Sequence, residues 1–417
     1  MSSPFLRSIA VLMLVVGVGA AAVTPVSATA PTRFSAVDVG YNHTCALTTN
    51  GHAYCWGENS SGQLGNGDAS SQTEPVAVVG GHRFRTIDAG WYATCAITTR
   101  GALYCWGYND YGQLGLGTHD ESEVGNANVF VPQRVGGRGW SFISVGSWTT
   151  CGIRRLQTYC WGSNNWGQLG IGTHDWTESG NADVDVPNLV LGDHRFMTVS
   201  VGDNTVCGVT YTGDGYCWGT GNNGELGNGH FSSEAGGNGT DADSDEPVSI
   251  SGDLRFVDIQ TGSESSCGLT QRGKVYCWGD STWGQIGNGS GGVEDFVTVP
   301  TKVHGSGRYT AISGSEDDAY SACGIKASGS AFCWGWNGWG YLGQFYGLLG
   351  ADSEGEQEND PVQVSAPYKF VSIDLDEHHA CGLTTTQRIY CWGMNDDGQL
   401  GISGASTNIP TDPVRLP

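Results

Sequence analysis

Fourteen cysteines punctuate this chain, and residues of that type can ligate metal, act as nucleophiles or redox couples, or cross-link the backbone. They fall into seven short-range pairs: Cys45 with Cys55, Cys95 with Cys105, Cys151 with Cys160, Cys207 with Cys217, Cys267 with Cys277, Cys323 with Cys333, and Cys381 with Cys391. Members ten positions apart have an odd number of residues between them, so they can face each other across a tight hairpin, within disulfide reach. The third pair is only nine apart, and its turn, Arg154-Arg155-Leu156-Gln157, has lost one residue. A two-residue loop there restores the opposition that a three-residue loop gives elsewhere. One pair per unit supplies no four-ligand cluster, and the spacing is unlike a zinc ribbon or finger, so zinc is set aside. Seven disulfides are expected, each contributing on the order of 2 to 3 kcal/mol in the loop-entropy model.

The elements that must hold these pairs recur with them. Successive first cysteines lie 50 to 60 residues apart, a period that signals a repeat array. Each unit opens on an aromatic strand (Phe34, Phe84, Trp140, Phe196, Phe256, Tyr309, Phe370) and passes a turn glycine such as Gly40, Gly90 or Gly146. It then forms a hairpin from the first cysteine to an aromatic-Cys-Trp strand, usually through a glycine turn (Gly51, Gly101, Gly213, Gly273, Gly329). A second tight turn follows, Gly-Gln-Leu-Gly or a near copy, at Gly62–Gly65, Gly112–Gly115, Gly167–Gly170, Gly224–Gly227, Gly284–Gly287, Gly340–Gly343 and Gly398–Gly401. A proline-led edge strand closes the unit at Pro75, Pro132, Pro187, Pro247, Pro300, Pro361 and Pro413.

A lone four-stranded unit cannot bury both of its faces, so the units must stack or close into a ring. The first unit lacks a preceding proline segment and the chain ends on Asp412 to Leu416, the missing piece. Closure that joins the two ends removes an exposed sheet edge. The expectation is an all-β, seven-bladed propeller with one disulfide per blade, occupying 29–417 as a single domain, with units near 33–80, 81–136, 137–192, 193–252, 253–305, 306–366 and 367–417.

The repeated Gly-x-x-x-Thr-Cys-Ala-Leu-Thr, Tyr-Cys-Trp-Gly-x-Asn and Gly-Gln-Leu-Gly segments, as at 40–48, 54–59 and 62–65, resemble the repeat of the regulator of chromosome condensation family over roughly 33–417. The resemblance implies a seven-bladed propeller and, for the family's nuclear members, guanine nucleotide exchange on a small GTPase. Two cysteines per unit are not part of the nuclear pattern, the third unit lacks the hairpin glycine, and the sixth stretches Ser315 to Ser321 between its first two strands.

Because neighbouring strands alternate in direction, the connections between strands one and two and between strands three and four emerge on one face. Large aromatics crowd those connections: Tyr41, Trp91, Tyr92, Trp148 and Tyr320 in the first set, and Tyr108, Tyr111, Trp166, Trp283, Trp336 and Trp339 in the second. Trp and Tyr so placed are the anchors of binding hot spots. The repeating Trp56, Trp106, Trp161, Trp218, Trp278, Trp334 and Trp392 sit inside strands and read as packing between blades. Acidic loops share the face, from Asp120 and Asp175 in two near-identical loops to the runs at 239–246 and 352–360. Calcium takes such carboxylates, but no twelve-residue calcium loop is present, so these loops are read as solvated, with no cofactor and calcium as the alternative. His43 and His379, just before the first cysteines of their units, read as structural.

Arg7 precedes an apolar run from Ile9 to Val23 and a cleavable Val26-Ser27-Ala28, which reads as a secretory signal over 1–28. An exported destination suits disulfides. The run is short for a membrane span. A formal charge of -23 argues against nucleic acid and anionic membranes as partners. Sequons at Asn42, Asn59, Asn238 and Asn288 matter only in a glycosylating host. No zinc-protease helix, serine elbow or phosphate loop occurs, so no catalytic residues are assigned. The leading expectation is a secreted or cell-envelope, monomeric, non-enzymatic propeller that binds an extracellular or periplasmic protein through its aromatic, acidic loop face. A glycan or cell-wall binder is the alternative, and nucleotide exchange ranks behind both.

Overall fold

The computed structural model describes residues 33–118, 127–174, 183–232, 242–292, 295–314, 320–338, 347–350 and 357–416. Residues Thr32–Pro417 form one compact unit. Six antiparallel sheets of four strands each follow chain order, and a seventh holds Phe370–Leu375, His379–Thr384 and Ile389–Gly393. The innermost strands are Phe34–Val39, Phe84–Ala89, Trp140–Val145, Phe196–Val201, Phe256–Thr261, Tyr309–Gly314 and Phe370–Leu375. Each packs against the next, and the last packs against the first, so the seven sheets close into a propeller. Among the described residues there is no helix.

Every cysteine pair falls in register on its hairpin, with Cα atoms 4.0 to 4.1 Å apart, and all seven disulfides are formed. That separation belongs to the close, non-hydrogen-bonded pairing of an antiparallel ladder. The shortened third hairpin keeps register because Arg155 and Leu156 both adopt positive φ, at 54° and 68°, the backbone of a two-residue turn that matches strand twist.

The pairs also build the seams between blades. Cys45 and Cys55 pack with Leu47 of their own blade against Phe84, Ile87 and Trp106 of the next. The same grouping recurs around the ring, ending with Cys381 and Cys391 against Trp56 of the first blade. Each repeating Trp is fully buried and donates its indole N–H backwards across the seam. Trp106 Nε1 reaches the Gln63 carbonyl at 2.8 Å, Trp161 the Gln113 carbonyl at 2.9 Å, and Trp56 the Gln399 carbonyl at 2.8 Å. A buried indole N–H left unpaired would be costly, which explains why the acceptor turn recurs with the Trp. Gly65, at φ +63°, ends one such turn so close to the next indole that a Cβ would lie 2.7 Å from Trp106 Nε1. Only glycine meets both demands.

One turn assignment moves. Gly340–Gly343 lies outside the described residues, and Gly347-Leu348-Leu349-Gly350 does the sixth blade's work: Trp392 Nε1 donates to the Leu348 carbonyl at 2.8 Å, and Gly350 has φ +65°. A longer connection displaced the turn, and Leu348 can serve because only its backbone carbonyl is required.

The first strand and the C-terminal segment meet at the seventh seam. Phe34 N–H donates to the Gln387 carbonyl at 2.9 Å. Thr407 and Pro413 bridge to Gly393 and Tyr390, so the C-terminal segment pairs within the last blade rather than with the first strand. Val414 then packs with Phe34 and Val37, which carries the closure by side chains.

Candidate functional site

Antiparallel pairing within every sheet puts the first-to-second and third-to-fourth connections on one face, here the loop face, and the hairpin turns on the other. Six of the predicted aromatics gather on the loop face into one cluster. Trp91 stacks on Tyr92 at 5.0 Å and meets Trp148 edge-on at 4.1 Å. Trp148 in turn contacts Tyr111 at 5.0 Å and Tyr108 at 5.8 Å. Tyr41 joins from the first blade, 5.6 Å from Trp91, and His378 from the seventh, 4.9 Å from Tyr41. The arc therefore crosses three seams, and its rings are half-buried. Edge-to-face contacts of this kind favour a rigid cluster.

The remaining predicted residues are placed differently. Trp283 pairs with Tyr320 at 6.4 Å on another part of the ring. Trp166 is half-buried in its own connection, where its backbone N–H donates to Gln168 Oε1. Trp336 is the last residue of the strand Ala331–Trp336, paired with Gln357, rather than part of a connection. The ladder there runs one residue further than the Cys-Trp-Gly pattern indicated. Trp339 and most of the acidic loops lie outside the described residues, and among the described residues no group of three or more His, Cys, Asp or Glu is placed to hold a metal ion.

Sequence reasoning missed His378. The signal was its position: it occupies the place of Asn42, Tyr92, Trp148 and Tyr320, directly before the second strand, where no two neighbouring blades agree. Its neighbour His379 is buried and structural, as expected. Thr44 Oγ1 donates to the Gln399 carbonyl, so it must accept from His379 Nε2–H at 2.6 Å. His43 makes the same link to Thr94 at 2.9 Å, and burial holds its pKa down at about 3. Asn59 is also fully buried, its Nδ2 donating to the Asp68 carbonyl, so that sequon is closed to a glycan.

The second missed feature is charge. None of the 19 Lys and Arg residues lies in any loop-face connection; from Arg33 to Arg415 they sit in the strands, the hairpin turns and the segments leading into first strands. There they are occupied: Arg154 lies 4.4 Å over the Tyr159 ring, Lys326 Nζ 3.5 Å over Phe332, and Arg255 pairs with Asp214 at 2.6 Å. Apart from four histidines, His119, His174, His230 and His378, the charged residues of the loop-face connections are all acids. Burial, then Glu58 and Asp396, raises the Asp397 pKa beside the aromatic arc. Burial and Asp110 raise that of Tyr108.

Carboxylates also face the central channel. Asp374 Oδ2 accepts from Val39 N–H at 2.7 Å and Asp88 Oδ1 from Val145 N–H at 2.6 Å; Ser144 and Ser200 do the same for later blades. These bonds satisfy the edge N–H groups of innermost strands across each seam. Burial and mutual repulsion with Asp88 and Asp374 raise the Asp38 pKa well above the ordinary range, and burial puts Asp88 at about 8 and Asp374 at about 6. Their geometry marks them as clasps of the ring.

These features define a disulfide-pinned, seven-bladed β-propeller with one aromatic loop face. The chain belongs to the RCC1-like domain family, whose model matches residues 17–319, and a regulator of chromosome condensation (RCC1) repeat matches 377–399. It is similar to the ultraviolet-B receptor UVR8 of Arabidopsis thaliana, 28% identical over 63% of this chain and 54% of that one. It is also similar to the human E3 ubiquitin-protein ligase HERC2, 29% identical over 59% of this chain and 5% of that one. The chain thus spans about half, or far less, of the length of these relatives. Solved structures share the fold: human WBSCR16 with a TM-score of 0.71 at 19% identity, covering 88% of this chain and 94% of that one, and Prp20p from Saccharomyces cerevisiae with 0.70 at 16%, covering 92% and 86%. The seven disulfides point to an oxidising compartment outside the cytoplasm.

Proposed function

We propose that this protein is an exported scaffold that binds another protein through its loop face, with the arc of Tyr41, Trp91, Tyr92, Tyr108, Tyr111, Trp148 and His378 as the anchor. The observation that carries the reading is the contrast between identical seams and a loop face whose second-strand entry differs from blade to blade. Packing alone needs no such variety, whereas recognition of one partner surface does. Half-buried Trp and Tyr clusters supply contact area at low entropic cost. Export through the segment 1–28 completes the reading, and a monomer presents the whole face. Nucleotide exchange inside the cell does not suit seven disulfides. Glycan binding rests on the same aromatics and is tested beside the main reading.

The experiment is affinity capture from the native extracellular fluid with three full-length baits: the natural chain, Trp91→Ala/Trp148→Ala, and the hairpin-face control Arg154→Ala. A protein held by the first and third baits and lost from the second supports the proposal. Equal capture by all three, or a glycan-array signal that depends on Trp91 with no protein captured, overturns it.

A further inference from the structure

Resting on that reading, we infer that the partner presents a cationic segment, an exposed stretch rich in Lys and Arg, to the aromatic arc. All of its Lys and Arg residues from Arg33 onward lie away from the loop face, where Arg154 and Lys326 cover rings and Arg85 and Lys274 bond carbonyls. The exclusion holds across fourteen connections of unlike length and sequence. Solubility alone is served by mixed signs, so a face rich in carboxylates and without a Lys or Arg of its own is complementary to the opposite sign.

The geometry agrees with the charge. Glu58 and Asp396 each lie close enough to Asp397 to repel its charge, and Asp396 also acts on His378 at the end of the arc. At the other end Asp110 sits beside Tyr108. Carboxylates thus flank a run of ring faces from Tyr41 to Tyr111. That is the arrangement that takes a guanidinium or ammonium over a ring while a nearby carboxylate pairs with it. The hairpin face shows that this chain already uses such chemistry internally, with Arg154 over Trp140 at 4.9 Å and Lys326 over Tyr309 at 5.4 Å. On the loop face the rings and acids are present and the cation is to come from the partner. Acid-rich partners and duplex nucleic acid are repelled by the same face.

The test uses the full chain and an array of immobilised 12-residue peptides in four classes: Lys/Arg-rich, Asp/Glu-rich, neutral polar and neutral apolar. Four proteins are compared: natural, Glu58→Lys/Asp397→Lys, Trp91→Ala/Trp148→Ala, and Glu74→Lys/Asp412→Lys, which makes the same change in net charge away from the face. The proposal expects Lys/Arg-rich peptides to bind, with a loss of about tenfold in both loop-face variants and little change in the control, and with affinity falling as salt rises. Equal loss in the control reduces the effect to bulk acidity and overturns the inference. Binding of neutral or acidic peptides that needs the Trp pair but ignores the charge reversal overturns the cationic class and leaves the protein-binding reading standing. No Trp-dependent binding by any class counts against both. The charge-reversal pair leaves every ring in place, so a folding failure of the Trp variant does not blunt the test.

Discussion

The seams and the loop face are built from the same seven units and follow opposite rules. At every seam a fully buried Trp donates to the preceding blade, a disulfide packs against it, and a glycine turn makes room. On the loop face the corresponding positions read Asn42, Tyr92, Trp148, Asn204, Glu264, Tyr320 and His378, with no common chemistry. The contrast separates what the ring needs from what a partner would read. Repetition marks stability, and variation marks recognition.

The largest break in that contrast is Trp161→Ala. It opens a cavity at a seam and removes one of the two hydrogen bonds that the Gln113 carbonyl accepts, leaving it with Thr150 Oγ1, so about 3 to 5 kcal/mol of stability is lost, visible as an earlier denaturant midpoint. Next, Trp91→Ala with Trp148→Ala should weaken partner binding by on the order of 2 to 4 kcal/mol in titration calorimetry while the melting temperature moves only slightly. Trp283→Ala, which touches Tyr320 instead of the arc, should cost less than either member of that pair. If stability and binding fall together in the first pair, the separation of frame and face is wrong.

Glu225 is the place where the frame departs from its own pattern. Five blades carry Gln63, Gln113, Gln168, Gln285 or Gln399 at that point, and the fourth carries a buried glutamate whose pKa is raised by burial to about 8. The unfolded chain ionises this group near 4.5 and the folded chain holds its proton, so the glutamate costs stability increasingly as pH rises from 4.5 towards 8. Glu225→Gln should therefore stabilise the ring at pH 7 by on the order of 2 kcal/mol and have no effect at pH 4. Thermal melts at both values check this.

The smallest effect concerns the channel clasps. Asp38, Asp88 and Asp374 have raised pKa values, so the native state binds more protons than the unfolded state and stability declines as pH rises through the window from about 4 to 8. Asp38→Asn with Asp88→Asn should flatten that decline by about 1 kcal/mol, a figure discounted because both residues are only half-buried by surface area.

Most of the frame was legible because it is written seven times. Register, disulfides and the two-residue turn at Arg155-Leu156 all follow from the cysteine spacing. The sixth blade misled for a physical reason: Gly340–Gly343 and Gly347–Gly350 both look like the acceptor turn, and it is the Leu348 carbonyl of the latter that takes the Trp392 N–H. The loop face was half legible. Its aromatics could be assigned to one side from strand alternation, but their gathering into an arc depends on neighbouring blades, which no local pattern encodes. The absence of Lys and Arg from every loop-face connection was readable in the sequence, once each basic residue was assigned to a face.

Hydrogen–deuterium exchange on the full chain, alone and in complex with the captured partner, tests the central claim most directly. The account predicts protection at 40–42, 90–92, 108–112, 146–148 and 376–378, with the hairpin turns at 48–52, 98–102 and 154–157 unchanged. Protection of those turns with the loop face unaltered would contradict it.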